Sequence, residues 1–327
     1  MSFCHLHLHS EYSLLDGACR IEDIAKAAYE NNMSSVAITD HGVMYGVVDF
    51  WLACKKYGIK PIIGCEVYVA PGSMLDRKDQ KKYHLILLVK NEIGYRNLIY
   101  MVSRSFTEGF YGKPRIDMEL LENHHEGLVC LSACLAGYIS QMVASGDFRE
   151  AEEHALKMDA LFGRGNYYLE LQDHGISRQK EVNEFIRDLH EKHGIPMVCT
   201  NDVHYIKKSD ADSQAMLMCI QTNSRFSDGR PFGFETDEFY FKSESEMRVL
   251  FGDFEDALEN TQKIADMCSY EFDFSHLYLP RFKPETGEDP VDYLKRLAYE
   301  GFKKKTESGE ISYTSVKNEK VYLERIE

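Results

Sequence analysis

Seven short apolar runs recur along the first two hundred or so residues, with longer amphipathic segments between most of them. The runs cover 3–8, 35–39, 61–69, 83–89, 128–131, 167–171 and 196–200. Their length marks them as strands. The intervening patterns predict helices over 21–30, 44–56, 91–106, 147–161, 177–192, 209–220 and 255–268. In the first, Ile21, Ile24, Ala25 and Ala28 form one helical stripe. The second runs into Gly58, a common helix stop. This alternation predicts an α/β fold, a closed or nearly closed parallel barrel of seven strands. In such barrels chemistry sits on loops at the C-terminal ends of the strands.

Chemically capable residues do gather there. His7 and His9 close the first run, Asp40-His41-Gly42 follows the second, Cys134 follows the fifth, and Asp202 and His204 follow the last. Glu66 lies inside its run and His84 begins the next, so these two depart from the rule. The first run reads His5-Leu6-His7-Leu8-His9. A period of two would turn all three imidazoles to one face. They make a poor apolar face and a good ligand set for zinc, manganese or iron. A lone strand histidine is usually a satisfied core or surface residue. The repetition of the residue types in Asp40-His41 and Asp202-Val203-His204 favours metal binding instead.

A chain of 327 residues with 44% hydrophobic content is enough for one large domain or a domain plus an appendage. It has no apolar stretch of membrane-spanning length, and no basic segment leading an apolar core at its start. Nine cysteines, none in a Cys-x-x-Cys pair, read as reduced thiols, which predicts a cytoplasmic protein. A net charge of −15 argues against a stand-alone, high-affinity DNA binder. It does not exclude a phosphate ester at a metal cluster, where the ions supply local positive charge. The basic runs 77–82 and 303–305 read as solvated surface. From residue 279 a proline-bearing linker leads to a helix over 291–305, with Asp289 as its N-cap and Pro290 at the first position. The expected division is 1–280 and 281–327, with the second part the start of a further region of a longer protein. The segment 306–327 is polar, with no obvious core to join.

His7-Leu8-His9-Ser10, Thr39-Asp40-His41-Gly42, Gly64-Cys65-Glu66-Val67-Tyr68, Tyr83-His84-Leu85 and Asn201-Asp202-Val203-His204 together resemble the polymerase and histidinol phosphatase (PHP) family. The resemblance narrows at residues 11–17, at Lys113-Pro114-Arg115-Ile116-Asp117 and at residues 131–137. These are similar to the N-terminal PHP domains of bacterial DNA polymerase III alpha subunits. It spans residues 3–280 and extends through 281–305. The resemblance implies a distorted seven-stranded barrel and a site for as many as three divalent metals, zinc, manganese or iron, with magnesium an alternative. The implied ligands are His7, His9, Asp16, His41, Glu66, His84, Cys134, Asp202 and His204. Glu66, as the bridging carboxylate, Asp202 and His204 would carry the chemistry. His5 and Asp40 are expected in support, and Arg115 either on a substrate phosphate or paired with a carboxylate. His174 is expected along the pocket. His124 and His125 read as a turn, Cys130 as a buried thiol and Trp51 as helix packing.

Asp16, Glu66, Asp202 and a Cys134 thiolate against three divalent ions would leave the site about two charges positive, suited to a phosphodiester. The implied reaction is phosphoester hydrolysis, in the polymerase setting 3′→5′ exonuclease proofreading on a DNA 3′ end. The implied partners are the remainder of the alpha subunit, a separate proofreading exonuclease and a sliding clamp. No Asp-x-Asp pair on a polymerase-like strand would hold the ions for nucleotide addition. Two alternatives are a metal-stabilised scaffold that docks the exonuclease, and a free-standing phosphatase of the histidinol phosphatase type.

Overall fold

A computed structural model describes residues 3–225, 234–277, 279–312 and 316–327, and the side chains of 316–318 lie outside the description. The chain divides into two compact units, Met1–Phe272 and Asp273–Glu327.

The first unit is built on seven strands: β1 Ser35–Ile38, β2 Lys60–Val69, β3 Tyr83–Val89, β4 Arg115–Ile116, β5 Leu128–Leu131, β6 Tyr167–Leu171 and β7 Met197–Cys199. Their order is β1-β2-β3-β5-β6-β7, with β4 pairing to β2. Six of the expected runs are these strands. The parallel expectation fails at β3, which runs antiparallel to both β2 and β5. The link from β2 to β3 has no helix, so the chain returns on the neighbouring line without a crossover.

The first run, 3–8, is not a regular strand. Its backbone is shared between the two ends of the sheet: Ala37 N–H donates to His5 O and Thr39 N–H to Leu8 O, while Val203 N–H donates to His7 O. Leu8 also bridges Val203 in parallel. The segment thereby closes the sheet into a distorted barrel. A bend falls at His7. Cys4 and Leu6 join the inner apolar cluster with Ala37, Ile62, Ile86 and Val198, whereas Phe3 and Leu8 join the outer cluster that meets the helices. The bend resets the alternation between Leu6 and His7, and the three histidines do not share a face.

Helix α1 Ile21–Glu30 precedes β1, and α2 Val47–Tyr57, α3 Glu92–Thr107, α4 Met118–His124, α5 Tyr138–Ser145, α6 Phe148–Phe162 and α7 Ser177–His193 intervene between the strands. The expected stripe of α1 is buried, and α2 stops at Gly58 with φ 70°. α4 and α5 were not expected; His124 is the last residue of α4 and His125 its C-cap, a helix end rather than a turn. α8 Ala211–Thr222, α9 Glu244–Phe251 and α10 Glu255–Met267 follow β7. α10 lies across the N-terminal end of the barrel. Its Ile264 and Ala265 enter the inner cluster, Asn260 donates to Met197 O, and its Thr261 hydroxyl accepts from Cys4 N–H. The opposite rim is thus the one left for a site. In the second unit α11 Pro290–Glu307 starts as expected, the Asp289 carboxylate accepting from Val291 N–H, and an unexpected α12 covers Val316–Ile326. No helix of the described residues is long and apolar enough to cross a membrane.

One close approach fixes α3. A Cβ added to Gly94 would lie 1.9 Å from Gly127 O. That carbonyl already accepts from Lys90 N–H at the entry to β3's neighbouring loop, so neither backbone can move freely. Gly94→Ala should therefore destabilise the fold by about 3 kcal/mol, read from urea denaturation; an unchanged midpoint would refute the packing account.

Candidate metal centre

The antiparallel β3 explains the two residues that departed from the rule. Its first residues lie at the rim where its antiparallel neighbours β2 and β5 end, so His84 pairs with Tyr68 and comes beside Glu66. β2 is ten residues long and overruns β1, which brings Glu66 level with His41 through a parallel bridge.

The nine expected ligand residues meet at this rim. His7, His9 and Glu66 are fully buried. Asp16, His41, His84, Cys134, Asp202 and His204 line a pocket of ≈ 400 Å³ together with Leu135, Ile176, Met218 and Phe234. Three groups have potential ligand atoms within 4.8 Å of one another: His7–His9–Glu66, His41–Glu66–His84 and His9–His41–His204. Glu66 Oε1 lies 3.3 Å from His7 Nε2 and 2.9 Å from His84 Nδ1, while Oε2 contacts His41 Nδ1. Cys134 Sγ is 3.7 Å from His84 Nδ1 and 4.0 Å from Glu66 Oε1. Asp16 reaches His41 Nε2 at 3.3 Å and His204 Nε2 at 3.7 Å, and Gln214 Nε2 donates to it. Local backbone strain concentrates here: Leu15, Ala133 and Asp202 all have positive φ without being glycine.

The hydrogen bonds behind the ligands decide where the protons sit. His7 Nδ1 is 2.6 Å from the Glu170 carboxyl oxygen Oε1, so Nδ1 carries the proton and Nε2 presents a lone pair. Asp40 accepts from Ser10 N–H, Ser10 Oγ and Ser13 Oγ. Ser13 having spent its proton on Asp40, its oxygen accepts from His9 Nδ1, and His9 Nε2 is left as a lone pair. The two Nε2 atoms are 3.1 Å apart, and each lies within 3.0–3.1 Å of Asp202 Oδ1. Asp202 Oδ1 is buried and has no hydrogen bond. Three acceptors facing one another at this spacing need a cation between them. Ligand atoms at about 2.1 Å from a metal are themselves about 3.0–3.4 Å apart. The residues therefore fit a divalent ion.

The titration behaviour agrees. Burial alone would raise Glu66 and Asp202, but the surrounding imidazoles hold both well below the usual carboxylate range. Burial and the neighbouring His41 and His204 push His9 down to about 3. Against its burial, Glu66 and Asp16 lift His41 to about 10. Burial, then the Asp202 and Glu66 charges, push the Cys134 thiol well up, so a thiolate there requires a cation.

The supporting residues are partly different from those expected. Asp40 acts on His9 at one remove, through Ser13. His5 does not reach the cluster. Its Nε2 donates to Lys242 O and its ring lies 4.4 Å from that of Phe241, the consequence of the bend at His7. His174 does not line the pocket: both nitrogens are used, on Asn201 O and Gln179, and it stacks on Phe239 at 3.8 Å. Burial lowers it to about 4, so it packs as a neutral ring. Arg115 is 1% exposed, too buried to reach a substrate phosphate, and among the described residues it pairs with no carboxylate. Its guanidinium donates to the carbonyls of Met74, Asp76, Asp79 and Gly109.

Glu170 was missed. It looks like one polar residue in an apolar run, Tyr167-Tyr168-Leu169-Glu170-Leu171, and that interruption was the available signal. It is 2% exposed, and Gln172 and Thr200 also donate to it. Glu170→Gln should weaken metal binding by about 10- to 100-fold, since the amide no longer fixes His7 as the Nδ1–H tautomer. Competitive titration with a chromogenic chelator measures this, and unchanged affinity would remove Glu170 from the site.

The PHP domain family matches residues 5–174. The DNA polymerase III subunit alpha of Treponema pallidum is 45% identical over 306 residues, 92% of this chain and 26% of that protein. The subunit of Borreliella burgdorferi is 44% identical over 307 residues, 92% of this chain and 27% of that protein. The chain thus spans about a quarter of the length of these relatives. Among solved structures, an amidohydrolase from Chromobacterium violaceum aligns with 62% of this chain and 88% of its own, at 15% identity and a TM-score of 0.44.

Proposed function

Because the chain belongs to the PHP domain family, we propose that it is a divalent-metal phosphodiesterase that removes nucleotides from DNA 3′ ends. Its place is at the N-terminal side of a longer replicative polymerase subunit, where the activity is proofreading. The observation that carries this reading is the convergence of His7 Nε2, His9 Nε2 and the buried Asp202 Oδ1 to within 3.0–3.1 Å.

His7, His9, Glu66 and Asp202 would hold one ion, Glu66, His84 and Cys134 a second, and Asp16, His41 and His204 a third. Imidazole and thiolate donors favour zinc, manganese or iron over magnesium. Bound there, the ions supply a nucleophilic hydroxide and neutralise the phosphoryl oxygens. The chain's own part is positioning. Glu170 and the Ser13–Asp40 pair lock the two imidazoles, and Glu66 ties neighbouring clusters to one carboxylate. Asp16 stands at the mouth with the buried His204 behind it, where an entering phosphodiester passes. Leu135, Ile176, Met218 and Phe234 give that mouth an apolar wall that restricts water and accepts a nucleobase or sugar face. No lysine or arginine lines the pocket among the described residues, so the phosphate relies on the ions. Residues 281–327 begin the next region of the parent subunit, whose other parts and replisome partners the chain serves in the cytoplasm. Nine free cysteines suit that compartment.

The test is metal content together with release of labelled 3′-terminal nucleotides in manganese or zinc. Metal-dependent release is expected, with Asp202→Asn lowering it on the order of 100-fold. Metal bound without cleavage of DNA would favour the scaffold, and cleavage of small monoesters alone would favour the phosphatase.

A further inference from the structure

The basic run 77–82 has a structural role that a solvated surface does not require. Asp76 just before it and Asp79 within it turn back on the same loop: Asp76 Oδ1 accepts from Lys78 N–H and Asp79 Oδ1 from Lys81 N–H, both at 2.8 Å. The buried Arg115 pins the same loop through the Asp76 and Asp79 carbonyls. Lys78 and Lys81 are exposed and Lys82 and Lys113 half-buried, while the Arg77 guanidinium donates to the carbonyls of Met74 and Glu108. Among the described residues no ion pair forms to Arg77, Lys78, Lys81, Lys82 or Lys113, whereas Lys55, Lys56, Lys192 and Lys208 elsewhere are each paired to a carboxylate. On a chain of net charge −15, this is an unneutralised cationic cluster. Partial burial, then the Lys113 and Arg115 charges, lower the pKa of Lys82, as expected where cations crowd.

The cluster adjoins the metal centre. Lys113 Nζ lies 5.5 Å from the centre of the Tyr68 ring, which is 5.1 Å from the His84 ring and 6.4 Å from that of His41. Beside it stand three exposed aromatic residues. Tyr45, four residues beyond His41, is 59% exposed, Phe106 37% and Phe110 50%. Their rings follow in series, Tyr45 to Phe106 at 6.5 Å and Phe106 to Phe110 at 6.2 Å. Cations that track phosphates, next to sequence-tolerant stacking faces, are what a single strand needs. A protein partner would meet these lysines with its own carboxylates; the adjoining row of exposed rings is what favours a nucleic-acid strand.

We propose that loop 77–82, Lys113 and the exposed rings of Tyr45, Phe106 and Phe110 form a binding track for single-stranded DNA that leads its end to the metal centre. The track rests on the phosphodiesterase reading for its purpose but not for its detection. Binding is followed by fluorescence anisotropy of a labelled oligo-dT on the full chain in EDTA, where catalysis is silent. Replacing Lys81, Lys82 and Lys113 together by Glu should weaken binding at least about tenfold, and flatten the slope of log affinity against log salt by about 2. Should that variant misfold by circular dichroism, the three Gln replacements should give the same slope change. Phe106→Ala with Phe110→Ala should weaken binding about tenfold and leave the slope as it was. Affinity within twofold of the unaltered chain in both sets overturns the track and assigns the patch to a protein contact. Hydrolysis of bis(p-nitrophenyl) phosphate by the unaltered, manganese-loaded chain separately tests the catalytic reading. If that fails while the variants lose oligonucleotide affinity, the track stands and the catalytic reading falls.

Discussion

Glu66→Gln should abolish metal-dependent release of 3′-terminal nucleotides, lowering it on the order of 1000-fold or more, about 4 kcal/mol in the barrier. Glu66 belongs to two of the three groups able to hold an ion. One of its oxygens faces His7 and His84, and the other faces His41. The amide keeps the shape but loses the charge and turns one oxygen into a donor. That NH₂ would point at an imidazole nitrogen where a cation should lie. Asp202 belongs to none of these groups and faces the His7 and His9 side, so Asp202→Asn should cost less. Metal analysis should show more than one equivalent lost from Glu66→Gln, with the far-ultraviolet circular dichroism unchanged. A variant that keeps full metal content and activity would sink the assignment of Glu66.

The second large effect is on stability. Stripping the ions with EDTA should lower the melting temperature by on the order of 10 °C near pH 8, and by much less near pH 6. An ion present at a thousand times its dissociation constant contributes about 4 kcal/mol per site, and one kcal/mol shifts a domain of this size by about 2–4 °C. The pH dependence follows from the ion-free cluster. Against its burial, Asp202 and Glu170 raise His7 well above its ordinary value, and Glu66 and Asp16 raise His41 to about 10. Both folded values exceed the unfolded value near 6.5. The ion-free fold therefore binds more protons than the unfolded chain above that pH. The stability these groups contribute is fully present below about 6.5 and is lost as pH rises through about 10. A bound cation replaces those protons, so its benefit grows with pH. Calorimetry with and without EDTA at both pH values measures this. Equal melting in all four conditions, or a larger benefit at the lower pH, would contradict it.

Both predictions rest on residues that the sequence exposes and on contacts that it does not. His7, His9, His41, Cys134, Asp202 and His204 are legible because they follow apolar runs. Strand length and periodicity depend on local chemistry, and six of the seven runs are strands within a residue or so of the expected bounds. Glu66 and His84 came from family resemblance alone. Their position depends on the direction of β3, which is set by what it pairs with. Glu170 escaped notice because one carboxylate in an apolar run has no local partner. Its meaning comes from His7, 163 residues away.

The histidine run shows the same division within five residues. The sequence determined that imidazoles would stand at the barrel's first strand position, since nothing else explains so many polar rings in an apolar segment. Whether they share a face depends on backbone conformation, and backbone conformation there answers to distant partners. The run is hydrogen-bonded to β1 on one side and to the segment after β7 on the other. Satisfying both imposes the bend at His7, which sends His7 and His9 to the metal centre and leaves His5 against Phe241. Residue types and their spacing are local facts. Strand direction, the tautomer of a ligand and the burial of Arg115 and His174 are set by contacts between remote segments, and only the folded chain brings those together.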